Sequence, residues 1–272
     1  MADVKQIEGL SAKPDDELAG SEAPLLEHLV ELRKRLIYSA VTIVALMAFC
    51  FIFASTIYDW LLIPYKRAVP DAELIFTAPQ ELFFTYLNVA LFGAIFLGFP
   101  MVASQIYMFV APGLYKHERR AFVPYLVATP IFFVAGAALV YFVVLPMAIG
   151  FFHGMETEDI TMLTSVSEYL GLAMLLILAF GICFQLPVIL TLLAQIDLVS
   201  VDLLKKGRRY AIVGILIFAA FITPPDPISQ IGLALPMYLL YELSIMSVRM
   251  IEKRRAAALE AQEAELSGSS SE

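Results

Sequence analysis

Two glutamates that lie beside basic clusters are the residues of this sequence best suited to bind a charged ligand. Glu31 is followed by three cations at residues 33–35, and Glu118 lies within the basic segment 116–120. A carboxylate can accept a guanidinium group through two parallel hydrogen bonds, so each glutamate is a candidate binding residue. Two simpler interpretations stay open: Glu31 pairs with Arg35 four residues along a helix, and Glu118 belongs to a charged loop that only sets topology.

Three neutral polar side chains interrupt the apolar part of the sequence, at Asn88, Gln105 and Gln185. Each either forms a hydrogen bond between helices or lines a polar groove, and the sequence leaves both roles open. We expect no acidic or basic side chain at mid-depth in the apolar runs. Ion-coupled carriers and proton pumps usually place such residues on their pathway, so this expectation argues against those classes.

The sequence gives no indication of a metal centre or a nucleophilic enzyme. His28, His117 and His153 are isolated, with no motif around any of them, and Cys50 and Cys183 each lie inside an apolar run. A metal site or a disulfide would need partners that this pattern does not offer. We therefore expect no catalytic residue and no cofactor.

The composition is that of a membrane protein. Hydrophobic residues make up 60% of the 272 residues and charged residues 16%, compared with about 45–50% and about 25% in soluble domains. A chain of this length cannot bury so much apolar surface in a soluble core. Much of the net charge of −8 comes from acidic residues near the two ends, and it gives no indication of a nucleic-acid partner. The predicted fold class is an all-α integral membrane protein.

Six apolar runs are candidate transmembrane helices. They lie at about residues 36–57, 82–110, 121–152, 169–196, 210–223 and 228–248. The uncharged parts of the last two are each about 14 residues, or about 21 Å, which is shorter than the hydrocarbon core of about 30 Å. A loop containing Pro224, Pro225 and Asp226 separates them. They form either one re-entrant hairpin that does not cross the membrane or two short spans that thin it.

The basic residues predict the orientation of the chain. Lys and Arg cluster before the first run, between the second and third, between the fourth and fifth, and after the last. If the chain crosses at every run, these clusters share one side, and the positive-inside rule places both termini in the cytoplasm. We predict a membrane domain at 25–252 between disordered cytoplasmic tails at 1–24 and 253–272.

Four segments resemble the signature motifs of the TatC family, the multi-spanning subunit of the twin-arginine protein translocase. They are residues 27–36 (EHLVELRKRL), 109–120 (FVAPGLYKHERR), 141–146 (YFVVLP) and 223–226 (TPPD). The resemblance extends over about residues 24–252, in the order and six-span spacing of the family. It implies a bacterial inner-membrane location. The acidic character of residues 1–24 argues against a plastid transit peptide.

The resemblance implies a receptor that binds the twin-arginine signal peptides of folded proteins at the cytoplasmic face. It also implies assembly with the single-span TatA and TatB subunits, self-association in the receptor complex, and export driven by the proton-motive force. The signal-binding residues of the family correspond to Glu31, Arg33, Phe109 and Glu118. Two carboxylates on a basic surface favour Arg-Arg over Lys-Lys by geometry, and Phe109 is placed to pack the apolar residue after the arginine pair.

One position departs from the family pattern. Many members carry a glutamate where residues 184–187 (FQLP) have Gln185, which cannot titrate but can still donate and accept hydrogen bonds in a groove. Two alternative functions remain: a secondary transporter or channel, which predicts intramembrane charges or inverted repeats, and a membrane enzyme, which needs a catalytic pair or metal ligands. Neither set of features is visible.

Overall fold

The computed structural model describes residues 14–70, 74–110, 123–157, 163–222 and 227–269. Its helices are α1 (Pro14–Ile52), α2 (Ala54–Ala68), α3 (Glu81–Val110), α4 (Val123–Leu139), α5 (Leu145–His153), α6 (Val166–Cys183), α7 (Leu186–Gln195), α8 (Val201–Ile222) and α9 (Pro227–Ser269). A π-helical turn at Val140–Val144 joins α4 to α5. Two short strands, β1 (Leu74–Ile75) and β2 (Thr164–Ser165), pair in parallel with Leu74 opposite Thr164. Within these ranges the fold is almost entirely helical, as the composition predicts.

Five helical segments in the described ranges are long and apolar enough to cross a membrane. They are His28–Ile52, Glu81–Phe109, Pro124–His153, Val166–Gln195 and Gln230–Ala257. They coincide with the first four predicted runs and with the sixth. Helix α8 is not among them, because its first half carries Asp202 and the basic residues of 205–209. Its apolar part, residues 210–222, coincides with the predicted fifth run.

Both ends of the membrane domain continue as helix into segments predicted to be disordered tails. Helix α1 already begins at Pro14, within the predicted tail 1–24, and α9 continues to Ser269, within the predicted tail 253–272. For α9 the cause is local, because residues 253–265 are mostly Ala, Glu and Arg, which have high intrinsic helix propensity. Low hydrophobicity predicts the absence of a core, but it does not exclude a solvated helix.

Prolines account for the two irregular points in the spanning helices. Pro146 follows the π-helical turn, and Pro187 follows the break at residues 184–185 between α6 and α7. Proline has no N–H group, and its ring clashes with the carbonyl group four residues earlier. For Pro146 that carbonyl belongs to Phe142, inside the π turn, where the wider helix accommodates the ring.

Helix α6 lies at the centre of the core. Its inward residues Leu170, Ala173 and Leu176 are at most 1% exposed. Glycines allow α4 to approach it closely: a Cβ atom at Gly181 would lie 2.5 Å from the Phe133 ring, and one at Gly136 would lie 2.6 Å from the Phe180 carbonyl oxygen. Close approach at small residues is the usual basis of helix packing in membranes, where the hydrophobic effect does not drive association.

Helices α8 and α9 form a smaller unit with α7. The Tyr241 hydroxyl donates to the Leu204 carbonyl oxygen at 2.8 Å, and Arg208 pairs with Glu242 at 2.8 Å. Glu242 lies near the middle of the candidate span Gln230–Ala257. Its partner Arg208 belongs to the charged first half of α8, so this ion pair lies at the charged end of the helix pair, and the expectation that no span carries a charged side chain at mid-depth stays a prediction.

Candidate functional site

The start of the first span and the end of α3 meet at what we call the basic end, which comprises residues 28–35 and 105–109. There Arg35 donates from Nη2 to Glu31 Oε1 at 2.8 Å, one helical turn away. Its other terminal nitrogen, Nη1, donates to Gln105 Oε1 at 3.3 Å and contacts Met108 Sδ at 3.3 Å. The predicted Glu31–Arg35 pair is thus confirmed, and its guanidinium also ties α1 to α3.

Glu31 keeps binding capacity despite this pair. Its side chain is 33% exposed, and only Oε1 has a hydrogen-bond partner within the part of the chain that the structure describes. A carboxylate offers about four acceptor positions, so Oε2 is available to a second guanidinium. The nearby cations Arg33 and Lys34 are exposed and would attract acidic rather than basic partners. A basic ligand must therefore match Glu31 geometrically.

Phe109 is covered by a side chain that the sequence did not single out. The ring of His28 stacks on that of Phe109, with centroids 4.2 Å apart and an interplanar angle of 22°. His28 lies at the start of the first span and Phe109 near the end of α3. The stack therefore joins the same two helices that Arg35 links. A ligand residue that packs on Phe109 must share the surface with His28 or displace it.

Not every predicted binding residue can be placed. Arg33 is exposed and forms no hydrogen bond with any other described residue. Glu118 lies in segment 111–122, outside the described residues, and so does the loop with Pro224, Pro225 and Asp226. The juxtaposition of Glu31 and Glu118 therefore stays a prediction.

Gln185 lies at the break between α6 and α7 and is 6% exposed. Its amide nitrogen donates to the Thr129 carbonyl oxygen at 2.9 Å. The Thr129 hydroxyl in turn lies 2.8 Å from that of Tyr107, so one polar path links α7, α4 and α3. Gln185 Oε1 is buried and has no partner among the described residues. The simpler of the two predicted roles, a hydrogen bond between helices, is thus present.

The opposite end of α3, which we call the strand end, comprises residues 74–81 and 164–167. There Glu81, 8% exposed, accepts hydrogen bonds through both carboxylate oxygens. Oε1 receives the Ser165 hydroxyl at 2.5 Å and the Ser167 hydroxyl and N–H at 2.6 and 3.2 Å. Oε2 receives the Thr77 N–H and hydroxyl at 2.5 and 2.8 Å and the Ala78 N–H at 3.2 Å. Six donors favour the ionised carboxylate.

The sequence analysis did not single out Glu81. A local signal was available, because an acidic residue in the first helical turn that follows Thr77 is typical of a capping arrangement. Ser165 and Ser167 are 84 and 86 residues away, so no local pattern could have shown them. The strand pair β1–β2, which brings them close, is only two residues long and carries no alternating pattern.

No group of three or more His, Cys, Asp or Glu side chains that could hold a metal ion occurs among the described residues. The arrangement as a whole is a helical bundle with a half-exposed carboxylate at one end and a saturated, buried one at the other. Several of its segments are long and apolar enough to cross a membrane, which defines the class as a multi-span helical membrane protein.

Comparison with known proteins identifies the family. Residues 27–236 match the family model described as "Sec-independent protein translocase protein (TatC)". The TatC protein of Magnetococcus marinus is 44% identical over 245 residues, covering 90% of each chain, and that of Escherichia coli K12 is 37% identical over 227 residues, covering 83% and 88%. A crystal structure titled as the twin-arginine translocase receptor TatC superimposes with a TM-score of 0.74 at 34% identity, covering 82% and 98%.

The chain belongs to the TatC family. It is a component of the Sec-independent protein translocase, a multi-span transport protein of the bacterial inner membrane.

Proposed function

We propose that this chain is the receptor and core subunit of the twin-arginine translocase. It binds the twin-arginine signal peptides of folded proteins at the cytoplasmic face and nucleates assembly with TatA and TatB, for export driven by the proton-motive force. The observation that carries the proposal is the partly exposed Glu31, one of whose carboxylate oxygens has no partner among the described residues and lies beside a basic surface. The similarity to a solved structure described as the twin-arginine translocase receptor supports it.

In this proposal the basic end is the signal-binding site. Glu31 and Glu118 each accept one guanidinium of the arginine pair, and Phe109 packs the apolar residue that follows. Arg33 lies two residues from Glu31 and keeps the surface basic, which disfavours loosely matched cationic peptides. Arg35 holds the Glu31 carboxylate in place from one side, so that the incoming arginine meets a fixed acceptor and loses less entropy on binding.

The topology proposed is six spans with both termini in the cytoplasm. Five candidate spans are supplemented by the apolar part of α8, residues 210–222, whose charged first half would lie in the cytoplasmic interface. The sequence α8–loop–α9 then crosses twice, and the Lys and Arg clusters share one side. Self-association and contacts with TatA and TatB are expected along the spans.

The short apolar part of α8 supports a further element of the proposal, local thinning of the bilayer near α8 and α9. About 14 apolar residues cover about 21 Å, so lipid must thin or the helix must shift. Adding one turn of leucines to each of the two short runs should impair export and leave signal-peptide binding intact. Undiminished export by that variant would contradict the thinning role.

The experiment that tests the binding site is site-specific photo-crosslinking in membranes. A photoreactive residue replaces Val30, Leu32 or Met108, which are 66%, 40% and 39% exposed and flank Glu31 and Phe109 without being proposed contacts. We expect crosslinks to a twin-arginine precursor that are lost with an Arg-Arg→Lys-Lys precursor. Leu163, 69% exposed at the strand end, is the matched control position. Equal crosslinking of the two precursors, or equal labelling from Leu163, would contradict the proposal.

A further inference from the structure

A second feature lies far from the basic end, in the wall formed by α2, α3, α4 and the π turn. These elements enclose an apolar groove of about 430 Å³. Its floor is made of buried side chains, among them Leu61, Phe92 and Ile177, which are 3–8% exposed. Its rim is made of exposed ones, Trp60 and Phe142, which are 68% and 62% exposed. The groove is therefore open on one side and closed at its base.

The walls of the groove are fixed by a hydrogen bond across it. The Tyr141 hydroxyl donates to the Trp60 carbonyl oxygen at 2.7 Å, which joins the π turn to α2. On the α3–α4 side, the Phe96 and Phe133 rings contact each other with centroids 5.2 Å apart. The groove is thus held open by its own framework and does not depend on an occupant to form it, as is usual for small-molecule sites.

A cation lies at one end of the groove. Arg67 follows Trp60 by seven residues, so both lie on the same face of α2, about 10 Å apart along the helix axis. It is exposed, like its neighbour Lys66 in the last turn of α2, and lies within electrostatic range of the Tyr141 phenol. An apolar slot that ends in exposed cations matches a molecule with an apolar tail and an anionic head.

We propose that the groove is a binding site for an anionic phospholipid, with one acyl chain in the slot and the phosphate at Arg67 and Lys66. An apolar partner helix would not match the exposed cations Arg67 and Lys66 at the end of the slot, whereas a lipid with an anionic head matches both features. A narrow acyl chain fits the same space along its length. The proposal is independent of signal-peptide recognition.

The test uses the full chain in vesicles of phosphatidylethanolamine and phosphatidylglycerol, with a trace of phosphatidylglycerol that carries a diazirine in one acyl chain. After irradiation, the labelled peptides are mapped by mass spectrometry. We expect labelling concentrated on the groove segments of α3 and α4, around Phe96, Val134 and Ala138. Labelling spread evenly over all exposed apolar surface, including α1 and α8, would overturn the proposal, as would labelling unchanged by an excess of unlabelled phosphatidylglycerol.

Two variants test the acyl-chain site and the headgroup site separately. Ala138→Phe places a ring in the groove and should lower its labelling about tenfold, because a few methylene groups of the chain are excluded. Ala135→Phe, the same change at an exposed position of α4 outside the groove, is the matched control. Arg67→Gln should lower labelling by phosphatidylglycerol about fivefold, while Arg249→Gln, at an exposed cation of α9, should not.

The results distinguish a bound lipid from a second copy of the chain as the occupant of the groove. If Ala138→Phe fails to give a monodisperse protein, Val134→Phe, on the same wall, replaces it. Unchanged labelling in a folded groove variant overturns the assignment of the slot, and unchanged labelling in Arg67→Gln overturns the headgroup assignment. If the groove peptides are protected from lipid while cysteines placed at Val134 crosslink between two copies, the groove is an interface between chains and the lipid proposal is wrong.

Discussion

The two ends of α3 lie beside glutamates in opposite environments. At the basic end, Glu31 is 33% exposed, and Arg35 is the one charged partner of its carboxylate within the described ranges. At the strand end, Glu81 is 8% exposed and accepts six hydrogen bonds from neutral donors on Thr77, Ala78, Ser165 and Ser167. Among the described residues, both oxygens of the Glu81 carboxylate thus accept hydrogen bonds, whereas only one oxygen of the Glu31 carboxylate does.

This difference assigns a structural role to Glu81 and leaves Glu31 as the proposed binding residue. A buried carboxylate with all its acceptor positions occupied cannot take a ligand without breaking its own bonds, and its removal leaves several donors unpaired. An exposed carboxylate in a single ion pair contributes little to stability but can still accept a guanidinium. The comparison therefore predicts that stability and binding respond to different substitutions.

The largest effect is expected at Glu81. Glu81→Gln replaces an acceptor by a group with its own N–H donors, so at least one serine or backbone donor loses its partner, and we expect the free energy of unfolding to fall by about 3 kcal/mol. Thermal unfolding in detergent measures this, and signal-peptide binding should be unchanged in the folded fraction. Glu168→Gln, at an exposed glutamate in the first turn of α6, is the matched control. Equal stability of the two variants would break the comparison.

Glu31 should show the reverse behaviour. Glu31→Gln removes the charge that pairs with an arginine, and a hydrogen bond to a charged group is worth about 1.5–3 kcal/mol, so we expect binding of a twin-arginine peptide to weaken at least tenfold. The unfolding temperature should change little, because the Glu31–Arg35 pair is partly exposed. Affinity for immobilised signal peptide is the measurement, again with Glu168→Gln as control. A loss of stability without a loss of affinity would reverse the assigned roles.

A smaller effect is expected from the aromatic stack at the basic end. His28→Ala removes the ring that covers Phe109 and should change signal-peptide affinity by about fivefold, since an aromatic pair is worth about 0.5–1.5 kcal/mol. His28→Phe keeps a stacking ring and should restore the original affinity. If both variants bind equally, the stack has no part in the site, and the binding surface at this end is limited to the charged residues.

The smallest effect is expected at Gln185, which lies between α6 and α7 and is bonded to α4. Gln185→Ala removes the hydrogen bond to the Thr129 carbonyl oxygen, and such bonds between membrane helices average about 0.6 kcal/mol. We expect a slight fall in the unfolding temperature and no change in signal-peptide affinity. Thr191→Ala, which removes a hydroxyl bonded within α7 itself, is a suitable control. A large loss of export with normal stability would show that Gln185 acts on a partner subunit.

Local patterns predicted the features that depend on neighbouring residues. Apolar runs located the spans, and the four-residue spacing predicted the Glu31–Arg35 pair, because both follow from helical geometry. Local patterns could not predict contacts between distant segments. The Glu81–Ser165 hydrogen bond joins residues that are 84 positions apart in the sequence, and the Arg35–Gln105 hydrogen bond joins residues that are 70 positions apart. The helical tails were missed because a polar, alanine-rich segment satisfies the criteria for disorder and for a solvated helix equally well.

The π turn at Val140–Val144 determines the direction in which the side chains of α5 point. A helix advances about 100° per residue, so the one extra residue that a π turn accommodates rotates every later side chain by that angle about the axis. Beyond Val144, the residues that reach the core are Leu145, Ala148 and Ile149. If the same residues formed a regular α-turn instead, this face would turn by more than a quarter of a circle, and Met147, now 41% exposed, would move towards the interior. The bulge thus sets which side of α5 meets the bundle.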